Sequence, residues 1–183
     1  MKAEHINEIK GIIILALGII LLASLLSFVP EDLPWYTSNP NIPAQNLIRI
    51  VGAYVAGSTF FVFGFSAYFF VVFLFFWSWV KFASRNLNFS AMKLIAAFVF
   101  VCVLSALVSL SGNHDTASRF DRAGIVGLLI ADFLNRYFGV GAYIILFMLG
   151  ALSFIVTGEF LISPLVASAI ERIKAITVKT KAT

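Results

Sequence analysis

Four long apolar runs, parted by short polar segments, set the plan of this chain. The first, Gly11–Val29, holds 19 residues without a charge. The third, Leu94–Leu110, has 17, close to the short limit for crossing a bilayer, so Lys93 is expected to extend its charge toward the surface. The second and fourth are expected as spans over about 65–82 and 140–161. Gly11–Val29 lacks small residues at cleavage spacing behind it, and its core exceeds that of a signal sequence, so it reads as a retained span. The segment Pro30–Gln45 contains four of the five prolines, together with Glu31, Asp32, Asn39 and Asn41. It cannot continue a helix and reads as an extended loop. Trp35 and Tyr36, then Trp77 and Trp79, suit the aromatic belts of a membrane surface.

A repeat underlies these runs. Residues 50–68 and 125–143 align without a gap at an offset of 75. Eight of 19 positions are identical: Ile50/Ile125, Val51/Val126, Gly52/Gly127, Ala56/Ala131, Phe63/Phe138, Gly64/Gly139, Ala67/Ala142 and Tyr68/Tyr143. Chance at this composition gives roughly one or two. Each copy is too long for one crossing, because residues 46–80 as one helix would run about 50 Å against a hydrocarbon core of about 30 Å. Gly64 and Gly139 are the expected breaks, since glycine accepts the backbone that ends helices. Each copy is then a short helix at or dipping into the interface, a stop, and a returning span. Gly52 with Ala56, and Gly127 with Ala131, place small residues four apart, a spacing that lets helices pack closely in lipid. Asp132, Asn135 and Arg136 share one face of the second short helix, which should be wet. The nine phenylalanines from Phe60 to Phe76 read as lipid-facing or packing residues.

Composition fixes the class. Hydrophobic residues make up 61% of the 183, charged ones 12%, and the mean hydropathy is +0.98. This is an all-α, polytopic membrane protein of four transmembrane helices, built as two tandem hairpin units, each with an extra short interfacial helix. It forms a single membrane domain over 1–183, with 163–183 as the start of a cytoplasmic linker. The net charge of +4 carries topology. Nine Lys and Arg lie at the N-terminus, in the 81–93 linker and in the tail, against four in the other two segments. The positive-inside rule then places both termini in the cytoplasm and the loops at 30–49 and 111–136 outside. Asp32, Asp121, Arg122, Asp132 and Arg136 are the expected outer-face polar residues.

Catalytic chemistry has no foothold in the motifs. There is no GxxxxGK[ST] loop, HExxH, CxxC or GxSxG. The one cysteine, Cys102, lies in an apolar run and reads as a small core residue. His114 beside Asp115 has no nucleophile near it in sequence and reads as a polar loop residue. No span carries a charge near its centre, which weighs against a proton relay or pump; Glu159 sits at the cytoplasmic end of the fourth. No catalytic residue, metal or cofactor is assigned. A small four-span transporter or channel is the alternative reading, and an intramembrane enzyme a further one; neither a polar pathway nor paired catalytic groups at depth are visible.

Several stretches resemble the four-span N-terminal membrane domain of the FtsK/SpoIIIE family of bacterial DNA translocases. They are Glu8-Ile9-Lys10-Gly11, Ser27-Phe28-Val29-Pro30-Glu31-Asp32, Asn46, Val51-Gly52-Ala53-Tyr54-Val55-Ala56, Phe63-Gly64 with Ala67-Tyr68, and Gly124-Ile125-Val126-Gly127. The chain departs from the family pattern where Leu33 separates Asp32 from Pro34. It departs again where Arg49 and Gly57 stand at positions the second unit fills with Gly124 and Asp132. The resemblance implies an anchor in the bacterial inner membrane at the division septum, acting in cell division and chromosome segregation. It implies a ring-like homo-oligomer in contact with the bilayer and other division proteins, an ATP-driven motor downstream of a linker, and no direct DNA contact from this segment.

Overall fold

The computed structural model describes residues 3–82, 91–111 and 115–157. His114, Glu159, the 83–90 part of the basic linker and everything from 158 onward lie outside the described residues. The described residues are helical, with no strand among them. In order, α1 is Ala3–Leu26, α2 Arg49–Phe63, α3 Tyr68–Phe82, α4 Ala91–Leu110, α5 Thr116–Phe138 and α6 Gly141–Thr157. Short 3-10 turns occupy Pro30–Asp32 and Gly64–Ala67.

Three stretches are long and apolar enough to cross a membrane: His5–Leu26, Arg49–Phe82 and Ala91–Leu110, with Gly141–Thr157 a shorter apolar helix. The stretch Arg49–Phe82 is not one rod. Gly64 takes φ 56° and ψ −139° and its N–H donates to the Phe60 carbonyl, ending α2. Gly139 repeats this with φ 53° and ψ −126°, its N–H donating to the Asn135 carbonyl at 3.0 Å. Both breaks therefore stand where the glycines are, and α3 begins three residues after the expected start at 65.

Each span pairs with the returning one of its own unit. Gly11 and Gly18 of α1 face α3, with the ring of Phe75 and the Cβ atom of Leu74 over Gly18 and the Cβ atom of Lys81 beside Gly11. Ser78 Oγ donates to the Gly11 carbonyl at 2.9 Å, so a buried hydroxyl on α3 is satisfied by α1. In the second unit α6 runs against α4, where Leu146 is buried with Val103 and Ala106, and Phe154 meets Phe100. Cys102 is half-buried on α4.

The short helices lie across the C-terminal ends of α1 and α4. Gly52 of α2 packs against Ser24, while Thr59 and Phe63 share a cavity wall with Leu21. The phenylalanine-rich stretch is mainly packing: Phe63 is buried between Phe70 and Phe98, and Phe60 meets Phe28, Phe65 and Tyr68 edge-on or tilted. Phe73 lines a cavity of about 520 Å³ walled by α1, α2, α3 and α4.

Two differences from the sequence reading stand out. The first part of the loop expected at 111–136 carries a helix from Thr116 that runs into the repeat through a kink at Gly124, φ 67° and ψ 179°. Asp32, expected among the outer-face polar residues, is 1% exposed. Its carboxylate is enclosed because the loop it belongs to folds around it.

Candidate functional site

The polar residues gather at two places: the C-terminal ends of α1 and α4, and the joint between the units. A helix leaves its last carbonyls without partners, and in lipid such groups cost free energy unless something donates to them. At the end of α1 the donor is Asn46. Its amide Nδ2 donates to the Ser24 carbonyl at 2.8 Å and to the Ser27 carbonyl at 3.1 Å, and its Oδ1 accepts the Ile48 N–H at 3.0 Å. Ser27 Oγ accepts the Leu47 N–H at 3.0 Å and donates to the Ala23 carbonyl. One asparagine thus ties the end of the span to the start of α2.

Asp32 holds that asparagine in place. It accepts the N–H groups of Gln45 and Asn46 and the Asn41 amide, each at 2.9 Å. Burial pushes the carboxyl up, but the Gln45 N–H, the Asn41 amide and the Asn46 N–H outweigh it and leave the pKa below its ordinary value. A carboxylate meeting three donors is stable as the anion. The loop is therefore a closed hydrogen-bonded knot, with fully buried Leu33 filling the space left by Gly57.

The second unit solves the same problem with different residues. Arg119 donates from Nε to the Ser109 carbonyl and from Nη2 to Ser109 Oγ, both at 3.0 Å, and pairs with Asp132 at 2.6 Å. Thirteen residues of straight helix span about 20 Å, so this pair exists only because the Gly124 kink folds α5 back on itself. Asn135 and Arg136 remain exposed on the same helix, and Asp121 is exposed before the kink. Arg122 is half-buried, its Nε reaching the Ser118 carbonyl at 3.4 Å. The matched tyrosines complete the parallel. Tyr68 Oη donates to the Leu25 carbonyl at 3.4 Å and Tyr143 Oη to the Leu110 carbonyl at 2.8 Å.

The joint is backbone against backbone. A Cβ on Gly64 would collide with the Arg122 carbonyl, and one on Gly124 would meet the Val62 carbonyl group at 2.5 Å and the Gly64 nitrogen at 2.6 Å. Ser105 Oγ donates to the Phe63 carbonyl at 3.0 Å, satisfying a carbonyl at the end of α2. Phe61 and Phe120 stack edge-on across the same seam, 5.3 Å apart. Tyr36 lies close enough that Asp121, after burial, pushes its pKa up. The predicted packing residues sit within the units: Ala56 and Ala131 are fully buried, and a Cβ on Gly127 would meet the Ser105 carbonyl at 2.5 Å.

Sequence reasoning missed Arg119, Ser109 and the cap on α1. The clue was the pair Tyr68/Tyr143, polar-tipped residues kept at the repeat offset beside apolar neighbours. Among the described residues no cluster of His, Cys, Asp or Glu could hold a metal. What the site does is fasten helix ends. The family model for the 4TM region of DNA translocase FtsK/SpoIIIE matches residues 3–170. The chain belongs to that family. The match covers both units with their spans and short helices, and its description is that of the membrane-spanning region of a translocase. No solved structure matches the chain.

Proposed function

We propose that this domain is the septal membrane anchor and assembly module of a DNA translocase that acts in cell division and chromosome segregation. The family match over residues 3–170 carries the reading. The polar network supports it, because its side chains are spent on helix-end carbonyls rather than presented to a substrate. In this reading the domain sits in the bacterial inner membrane with both termini cytoplasmic, self-associates, contacts other division proteins, and leaves ATP hydrolysis and DNA contact to a motor elsewhere.

A fluorescent tag on the C-terminal side should gather at mid-cell in dividing bacteria, while the purified domain hydrolyses no ATP. Uniform distribution around the membrane removes the septal role. ATP turnover by the purified domain removes the division of labour, and substrate flux in proteoliposomes abolished by changing Glu159 replaces the anchor with a transporter.

A further inference from the structure

The joint between the two units uses half of what the repeat provides. It brings the trailing end of the first unit's short helix (Val62–Gly64) onto the leading end of the second (residues 122–124). Subtracting or adding 75 gives the two halves left over: the trailing end of the second unit, Tyr137–Gly139, and the leading end of the first, residues 47–49. These have the matching backbone. Gly139 repeats the angles of Gly64, and Arg49, at φ 55°, repeats the positive φ of Gly124.

They are also bare. Phe63 is 9% exposed in the joint, while its counterpart Phe138 is 53% exposed. A Cβ on Gly64 would strike backbone, whereas one on Gly139 would meet nothing within 4 Å. Gly124 is buried and Arg49 exposed. The comparison extends to the spans. The tyrosine bonds to Leu25 and Leu110 set α1 and α4 in register at an offset of 85. Ser105, fully buried under the Phe63 carbonyl, then corresponds to Ile20, which is 45% exposed. Phe63, Gly64, Gly124 and Ser105, all buried at the joint, thus have exposed twins in Phe138, Gly139, Arg49 and Ile20.

We infer that a second copy of this chain covers these surfaces. The Tyr137–Gly139 trailing end of one copy docks on the 47–49 leading end of the next, repeating between chains the contact that joins the units within one. The contact is head-to-tail. A bilayer holds every unit in one orientation, so the operator is a rotation about the membrane normal, and its repetition makes a closed ring or an in-plane arc. This deepens the assembly role proposed above and rests on it, but not on the septal location.

The test uses the full chain in native membranes, with Cys102→Ala as background. Phe61 and Phe120 mark the internal seam, so Arg136 of one copy and Gln45 of the next mark the proposed one. Both are exposed. Chains carrying Arg136→Cys and chains carrying Gln45→Cys, differently tagged and expressed together, should join through a short bismaleimide into a species of doubled mass bearing both tags. A chain with both substitutions should give a ladder. Phe61→Cys with Phe120→Cys in one chain should cross-link internally and stay at monomer mass, which reports a folded joint. Products linked only through like sites point to a two-fold contact and overturn the proposal. So does yield no greater than that of a pair at Ile12 and Leu149, on other exposed surfaces. Uncross-linked chains that still gather at mid-cell overturn this interface and leave the anchor standing; a full ladder on chains spread uniformly does the reverse.

Discussion

The two glycine breaks make a controlled experiment that the chain carries within itself. Gly64 and Gly139 share a backbone conformation that a side chain resists, φ 56° with ψ −139° and φ 53° with ψ −126°. Alanine at either should therefore cost similar strain, about 1–3 kcal/mol. Only at Gly64 does the new methyl group also run into the Arg122 carbonyl and the carbonyl carbon of Ala123; at Gly139 nothing lies within 4 Å. Forcing extra volume into a packed site adds about 1–3 kcal/mol. The difference between Gly64→Ala and Gly139→Ala then isolates the joint, free of the strain they share. For a chain of this size it corresponds to roughly 2–12 °C in melting temperature. Thermal unfolding of the monomer in dilute detergent, followed by the three tryptophans, measures it directly. Equal losses in the two variants refute the claim that the Gly64 break is packed against the second unit.

Three further outcomes follow from the same geometry. Asp32→Ala removes the acceptor of three donors and should cost about 2–4 kcal/mol. Because the folded pKa lies below the ordinary 3.8, that contribution is full above the unfolded value and is lost as pH falls through the folded one; a gap between wild type and variant that widens toward acid refutes it. Arg49→Gly relieves positive-φ strain of about 1–2 kcal/mol but adds the entropy of glycine, about 0.5–1 kcal/mol, and loses the bond to the Ala44 carbonyl, about 0.5–1.5 kcal/mol, so melting temperature should change little, whereas Gly124→Ala should lose at least about 2 kcal/mol; losses of equal size remove the distinction between the two leading ends. Cysteines placed singly at Ser38 and Ser118 should react with an impermeant thiol reagent applied outside intact cells, and a cysteine at Ser84 should not; the opposite pattern inverts the topology.

Local chemistry made the helices, their breaks and the repeat legible. Gly64 and Gly139 end their helices by taking a positive φ that side chains resist, and the apolar runs around them, too long for one crossing, mark the breaks without knowledge of the rest of the fold. The long-range contacts were not legible in the same way. Asp132 read as one of three residues on a wet face, and its partner Arg119 lies across a kink that the polar composition of 111–124 does not announce. Asp32 read only as an outer-face polar residue, because nothing adjacent in sequence marks it as enclosed. Its burial depends on the loop from Pro34 to Asn46 returning to supply three donors, a contact invisible to any short window. The role of Gly124 in the joint was hidden for a different reason. Its repeat partner is Arg49, and the identity that would have flagged the position is missing.

Where the two units differ, the difference can be traced to the loop that precedes each. Gly57 accepts the side chain of Leu33, delivered by a proline-rich loop; Asp132 in the same place accepts Arg119, delivered by a helix. Arg49 keeps a positive φ at some cost, and its guanidinium returns to the Ala44 carbonyl at 3.3 Å, a contact glycine could not make. The backbone course is thus common to both units, while the side chains that cap it are replaceable. Gly64 is held by packing that Gly139 lacks within the chain, yet Gly139 has the same torsions and the same bond to the residue four before it. The break is accordingly set by local sequence and offered to whatever surface of the right shape adjoins it. Within this chain one end of each kind is left uncovered, Gly139 at the trailing end of the second unit and Arg49 at the leading end of the first.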